Sequence, residues 1–186
     1  MHTDPLRAEL LPAQALRSVR LDLVPLRVEH AEDMAGVLSD PALHTFIGGS
    51  PATAQDLRSR YARLVAGSPD PSVTWCNWVL LRRRDRCLVG TVQATVTGGS
   101  LAEIAWVVGT PWQGRGYASE AAQTLVAALH ARSVRTVVAH IHPDHPASAA
   151  VAAAAGLSPT DEEQDGEIRW RLSLTPDPGA VGPLRG

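Results

Sequence analysis

The stretch PWQGRGYASEAAQTLVAALHAR, Pro111 to Arg132, constrains the fold more than any other part of the chain. It passes from a β-rich segment into an apolar-striped helix through a turn carrying Gly114, Arg115 and Gly116. Two missing side chains leave successive backbone N–H groups open at the positive end of a helix dipole, and such a turn is an anion seat. Arg115 adds a guanidinium fork suited to phosphate, and the small residues Ala118 and Ser119 admit a ligand close to the backbone. The third glycine of the dinucleotide fingerprint is missing, and no acidic residue follows at the expected distance. A glycine turn with no ligand is the alternative reading.

On either side of this turn the pattern predicts an α+β domain. VRLDLVPL (19–26) alternates as a first strand, and RVEHAEDMAGVLSD (27–40) has helical spacing closed by Pro41. TAQDLRSRYARLVAG (53–67) reads as a second helix, capped by Thr53 and stopped near Gly67. VTWCNWVLLR, CLVGTVQATV and SLAEIAWVVG read as three strands of a meander, with turns at Arg83–Arg86 and Gly98–Gly99. The third helix runs from Ser119 to Arg132, VRTVVAHIH is a strand, Ala147–Ala155 is a short alanine helix stopped at Gly156, and EIRWRLSL is a late strand. The expected architecture is a mixed, largely antiparallel central sheet of six to seven strands flanked by four helices. The domain is expected over 19–175, after an N-terminal extension at 1–18 and before a Pro/Gly-rich disordered tail at 176–186.

Composition narrows the function. The chain has 186 residues and a net charge of −2, so it can bury one full core and lacks the basic balance that nucleic acid demands. No apolar run approaches a membrane span, and charges scattered through the first residues argue against an export signal, so a cytoplasmic protein is expected. All 17 basic residues are arginines, which excludes a Walker phosphate loop, a Schiff-base lysine and a lysine base. Cys76 and Cys87 are expected as reduced, packed thiols.

Gln113-x-x-Gly116-x-Ala118, set between a strand and a long helix, resembles the acyl-CoA pyrophosphate loop of the GNAT superfamily of N-acetyltransferases. LVGTVQ resembles that family's third strand, AEIAWVV its fourth, and HPDHPASAAVAAAAGL its CoA-side helix; the likeness runs from Val19 to Leu174. It is nearest to the branch that includes the ribosomal-protein N-terminal acetyltransferases, whose Asn-x-x-Ser is represented here by His145 and Ser148. The resemblance implies the GNAT fold and acetyl-CoA as cosubstrate, with no metal. It implies transfer to a primary amine, of a small molecule or a protein N-terminus, by direct attack in a ternary complex, and it is compatible with a homodimer. It places cofactor contacts at Val107, Val108, Gln113, Gly114, Arg115, Gly116, Tyr117, Ala118, Ser119 and His145, and acceptor contacts at His44, Thr45 and Phe46.

Acetyl transfer needs a neutral amine, donors for an oxyanion and a proton for the thiolate. Glu103, on the strand face of Ala105 and Val107, is the candidate base, acting directly or through a water; a solvent-facing strand carboxylate is the alternative. Ser148 is the candidate partner of the CoA sulfur, or a helix cap. Many GNAT enzymes carry a tyrosine on this helix, at the position read here as Ala152. Glu120 is read as a structural complement to the helix dipole. His140, His142, Asp144 and His145 are metal-ligand types at close spacing, but no second cluster supports a metal site. Arg82–Arg86 reads as a solvated hairpin tip, and Trp75 and Trp78, three apart, face opposite ways. A non-catalytic acyl-CoA-binding module of the same fold is the competing reading.

Overall fold

The computed structural model describes residues 14–174; the expected tail at 176–186 and the first 13 residues of the expected extension lie outside the described residues. The chain opens with β1 (Leu16–Arg17), which pairs antiparallel with β2 (Leu21–Pro25). The sheet thus begins inside the segment expected as an extension. A 3-10 turn at Val28–His30 leads into α1 (Ala31–Val37), shorter than the helical spacing suggested. Pro41 does not simply end that helix: it starts a second 3-10 turn, which Asp40 caps by accepting from the Ala42 amide. The four-residue α2 (His44–Ile47) follows, then α3 (Ala54–Ala66), capped by Thr53 and closed at Gly67.

The meander is present as β3 (Val73–Arg82), β4 (Leu88–Thr97) and β5 (Leu101–Val108). Then come α4 (Tyr117–His130), β6 (Thr136–Ile141), α5 (Pro146–Ala154), β7 (Ser158–Gln164) and β8 (Glu167–Ser173). These strands form one eight-stranded sheet in the order β1-β2-β3-β4-β5-β6-β8-β7, antiparallel except where β5 runs beside β6. The eight strands exceed the six to seven expected, and the sequence concealed β7, whose Asp161, Glu162 and Glu163 hide any apolar alternation.

Period-2 alternation sends Trp78, Ile104, Val137 and Ala139 to one face, where Ala121, Ala122, Leu125 and Leu129 of α4 cover them. Val79, between Trp78 and Leu80, points the other way into a second core of Met34, Leu57 and Tyr61 from α1 and α3. Each fully buried Leu or Val contributes about 1.5–3 kcal/mol. The sheet is therefore clamped between helices on both faces, and its middle strands are rigid supports. Cys76 and Cys87 are free thiols. Among the described residues, no helix is long and apolar enough to cross a membrane.

Candidate active site

The site begins where a ladder stops. β5 and β6 pair only through Leu101↔Thr136, Ala102↔Val137 and Glu103↔Val138, yet β5 continues to Val108 and β6 to Ile141. Beyond Glu103 the two strands part, and a cleft of about 430 Å³ opens beside Trp106, Val107 and Val108. On the β4 side, the position of Val107 is locked by Gly90, where a Cβ would lie 2.1 Å from the Val107 carbonyl oxygen. Only a residue without a side chain lets β4 approach β5 this closely.

The glycine turn forms the next wall. Gly114, Gly116, Tyr117, Ala118 and Ser119 line the cleft, as does Gln113. Gly116 is the N-cap of α4 at φ +80°, in the left-handed region that glycine adopts without strain. That conformation starts the helix two residues before Ser119, where the apolar pattern had placed it. The first-turn amides of α4 have no intrahelical partner, no side chain caps them, and the residues that carry them line the cleft. Gln113 braces the turn, its Nε2 donating to the Val108 carbonyl at 2.9 Å. Arg115 is exposed and does not line the cleft; its contribution is its carbonyl, described below.

The opposite wall is α5, with Ala147, Ser148 and Val151 turned to the cleft. Ala152 is fully buried in the core. The pocket-facing residue one turn beyond Ser148 is thus Val151, and the position read as replacing the family tyrosine faces the other way. At the mouth, Phe46 stacks on His145 with ring centroids 4.1 Å apart and approaches His142 at 5.6 Å. Burial, and then the nearby His142, lower the pKa of His145, which favours the neutral form of the ring. Of the three residues expected on the acceptor side, Phe46 reaches the cleft; His44 and Thr45 do not line it. The His44 ring is instead within hydrogen-bonding distance of the carbonyls of Gly48 (3.1 Å) and Leu38 (3.3 Å).

Glu103 lies outside the cleft lining, on the last paired rung before β5 and β6 separate. Its Oε1 is 3.2 Å from Nδ1 of His140; the carboxylate side chain is 56% exposed and the imidazole 12%. The Nε2 of His140 is buried without a protein partner. His142 bends back to accept from the Asp144 amide, and among the described residues no group of three His, Cys, Asp or Glu side chains could hold a metal.

Sequence reasoning missed the far side of the glycine turn. Glu120 accepts from Ser18 Oγ (2.6 Å), the Arg20 amide (2.7 Å) and Arg20 Nε (2.7 Å). Burial pushes its carboxyl up, but these donors outweigh burial and hold it below the usual range. Glu120 therefore fastens the β1–β2 turn to α4, in keeping with a structural role. Arg20 and Ser18 carried no signal in the sequence, because their partner is a hundred residues away. The apolar lining from Leu43 and Ile47 was equally silent, since such residues read as core.

Parted strands of the sheet thus share one cleft with the uncapped mouth of α4 and with one wall of α5. The chain belongs to the GNAT acetyltransferase family: the family model described as acetyltransferase (GNAT) domain matches residues 20–158. Its structure resembles a GNAT-family acetyltransferase from Bacillus anthracis, at 19% identity and TM-score 0.72, over 87% of this chain and 99% of that one. It also resembles RimL, a ribosomal-protein alpha-N-acetyltransferase in complex with coenzyme A, at 16% identity and TM-score 0.74, over 88% of this chain and 100% of that one. A third similar structure is the microcin self-immunity acetyltransferase MccE in complex with acetyl-CoA and AMP, at 14% identity and TM-score 0.69, over 84% and 93%. Among curated proteins, none matches the chain in sequence.

Proposed function

We propose that the protein transfers the acetyl group of acetyl-CoA to a primary amine, of a small molecule or a protein N-terminus, by direct attack in a ternary complex. The observation that carries this reading is the continuity of one cleft from the amide-rich mouth of α4, past the free edge of β5, to Ser148 on α5. An elongated anionic thioester fits that path: its pyrophosphate at Gly114–Ser119, its arm along Val107 and Val108, its sulfur near Ser148.

In this reading the amine nitrogen attacks the thioester carbonyl carbon, and backbone N–H groups of β5 stabilise the oxyanion. Collapse breaks the C–S bond, and the departing thiolate takes a proton, with Ser148 as donor or hydrogen-bond partner. Glu103 takes the amine proton through a water, since its carboxylate stands outside the cleft and is oriented by His140. Phe46, stacked on His145, forms the acceptor-side rim.

The lack of a tyrosine anywhere on α5, His145 in place of the family asparagine, and the position of Glu103 outside the cleft motivate the second reading, an acyl-CoA-binding module without turnover. Calorimetric titration with acetyl-CoA, with Gly116→Trp as the blocked-turn control, followed by an amine screen on wild type, Glu103→Gln and Ser148→Ala, separates them. Micromolar binding lost in Gly116→Trp, with turnover that falls in the other two variants at unchanged affinity, supports the enzyme. Binding without turnover on any amine supports the module. No binding by the wild type overturns both.

A further inference from the structure

We infer that Arg20 is a positioning residue of the glycine turn: it holds the peptide between Arg115 and Gly116 with the carbonyl turned outward, leaving the Gly116 N–H directed to the cleft. This rests on the reading of that turn as the pyrophosphate seat.

Arg20 belongs to the loop between β1 and β2, far from the turn in sequence. Its Nη1 donates to the Arg115 carbonyl at 2.9 Å. In a planar trans peptide the carbonyl and the following N–H point in opposite directions, so fixing the first outward fixes the second away from Arg20. Gly116 itself lines the cleft. A Cβ on Gly116 would lie 3.3 Å from Arg20 Nη2, so the guanidinium sits directly behind the turn.

The turn needs such a hold. Gly116 at φ +80° and Gly114 at φ +69° are flanked by peptides that flip at little steric cost, because glycine is as free in one half of φ space as in the other. A flipped 115–116 peptide would present a carbonyl, instead of an amide, to an incoming anion. Arg20 is well placed to prevent this because it is itself immobilised. Its Nε and amide are bound by Glu120, and its guanidinium lies over the Tyr117 ring, 4.6 Å from the centroid. Glu120 neutralises the Arg20 charge, so the contribution expected of Arg20 is orientation, not bulk attraction of the phosphate.

The test compares two thioesters that differ in the pyrophosphate: acetyl-CoA and acetyl-pantetheine, each titrated by NMR into wild type, Arg20→Ala and Arg20→Lys. Arg20→Ala is expected to bind acetyl-CoA about ten- to hundredfold more weakly, the range lost with a charge-assisted hydrogen bond, and acetyl-pantetheine as wild type does. Arg20→Lys recovers part of the loss. The Gly116 amide resonance of free Arg20→Ala broadens through exchange between peptide orientations, while amides in the β4–β5 ladder stay sharp. Should Arg20→Ala unfold, Glu120→Gln, which loosens Arg20 without removing it, is expected to show the same selective weakening. Equal weakening toward both thioesters, or unchanged acetyl-CoA affinity, overturns this inference alone. A wild type that binds neither thioester overturns the pyrophosphate seat and the inference with it.

Discussion

Two glycines in unlike surroundings should respond with opposite sign to the same added methyl group. At Gly90 a Cβ would meet the Val107 carbonyl oxygen at 2.1 Å and Val108 Cα at 3.0 Å, both backbone atoms of the neighbouring strand. Neither can rotate aside, so β4 and β5 must separate at the rung that supports the cleft. Overpacking of a core costs about 1–3 kcal/mol, and a backbone clash lies at the upper end, about 3 kcal/mol. For a chain of this length that lowers Tm by about 6–12 °C. At Gly36, in α1, a Cβ meets nothing within 4 Å. There alanine removes backbone freedom from the unfolded chain and raises helix propensity. It should stabilise by about 0.5 kcal/mol near a helix end, or about 1–2 °C. Thermal unfolding of Gly90→Ala and Gly36→Ala reads both, and titration with acetyl-CoA adds a second check. Gly90→Ala should weaken binding without touching the ligand, because it shifts Val107 and Val108, whereas Gly36→Ala should bind as wild type does. A Gly90→Ala protein as stable as wild type would falsify the claim that this close approach sets the cleft wall.

The remaining predictions concern titratable groups. Glu120→Ala removes the acceptor of three hydrogen bonds, and should cost about 2 kcal/mol at neutral pH. Since the folded pKa of Glu120 lies below its ordinary value of 4.5, its stabilisation is present above that value and is lost as pH falls through the lower folded value. Urea unfolding from pH 7 to pH 3 should therefore show the gap between wild type and variant closing in acid; a gap that stays constant refutes the assignment. Burial pushes both thiols up, Cys76 to about 11, but Cys87 is partly accessible and Cys76 is buried. Alkylation at pH 8 followed by mass spectrometry should modify Cys87 first and Cys76 only on unfolding. Prompt labelling of Cys76 in the native protein would contradict its place in the core.

What could be read from the sequence was local in origin. The meander announced itself because Trp78, Leu80, Val92 and Ile104 alternate with residues of the other face, and Thr53 and Gly67 bracket α3 because caps are short-range devices. The glycine turn was legible for the same reason: the requirement for a bare backbone at a helix mouth is written in adjacent residues. Legibility failed where a residue takes its meaning from a distant partner. Arg20 becomes informative only when β1 and β2 carry it beneath Arg115, and Glu103 gains an orientation only when the parallel β5–β6 ladder brings His140 beside it. Alanine-rich α5 shows a related failure. Nearly every position is small, so no apolar stripe distinguishes its two faces, and only packing reveals that Val151 shares the cleft with Ser148 while Ala152 faces α4 and the core. This distinction bears on the chemistry. A side chain placed at 152 would have to displace core, whereas one placed at 151 would enter the cleft one helical turn from Ser148. In the proposed mechanism the proton donor is therefore sought first at Ser148, and a tyrosine introduced at Val151, not at Ala152, is the substitution that would reach the proposed thiolate leaving group.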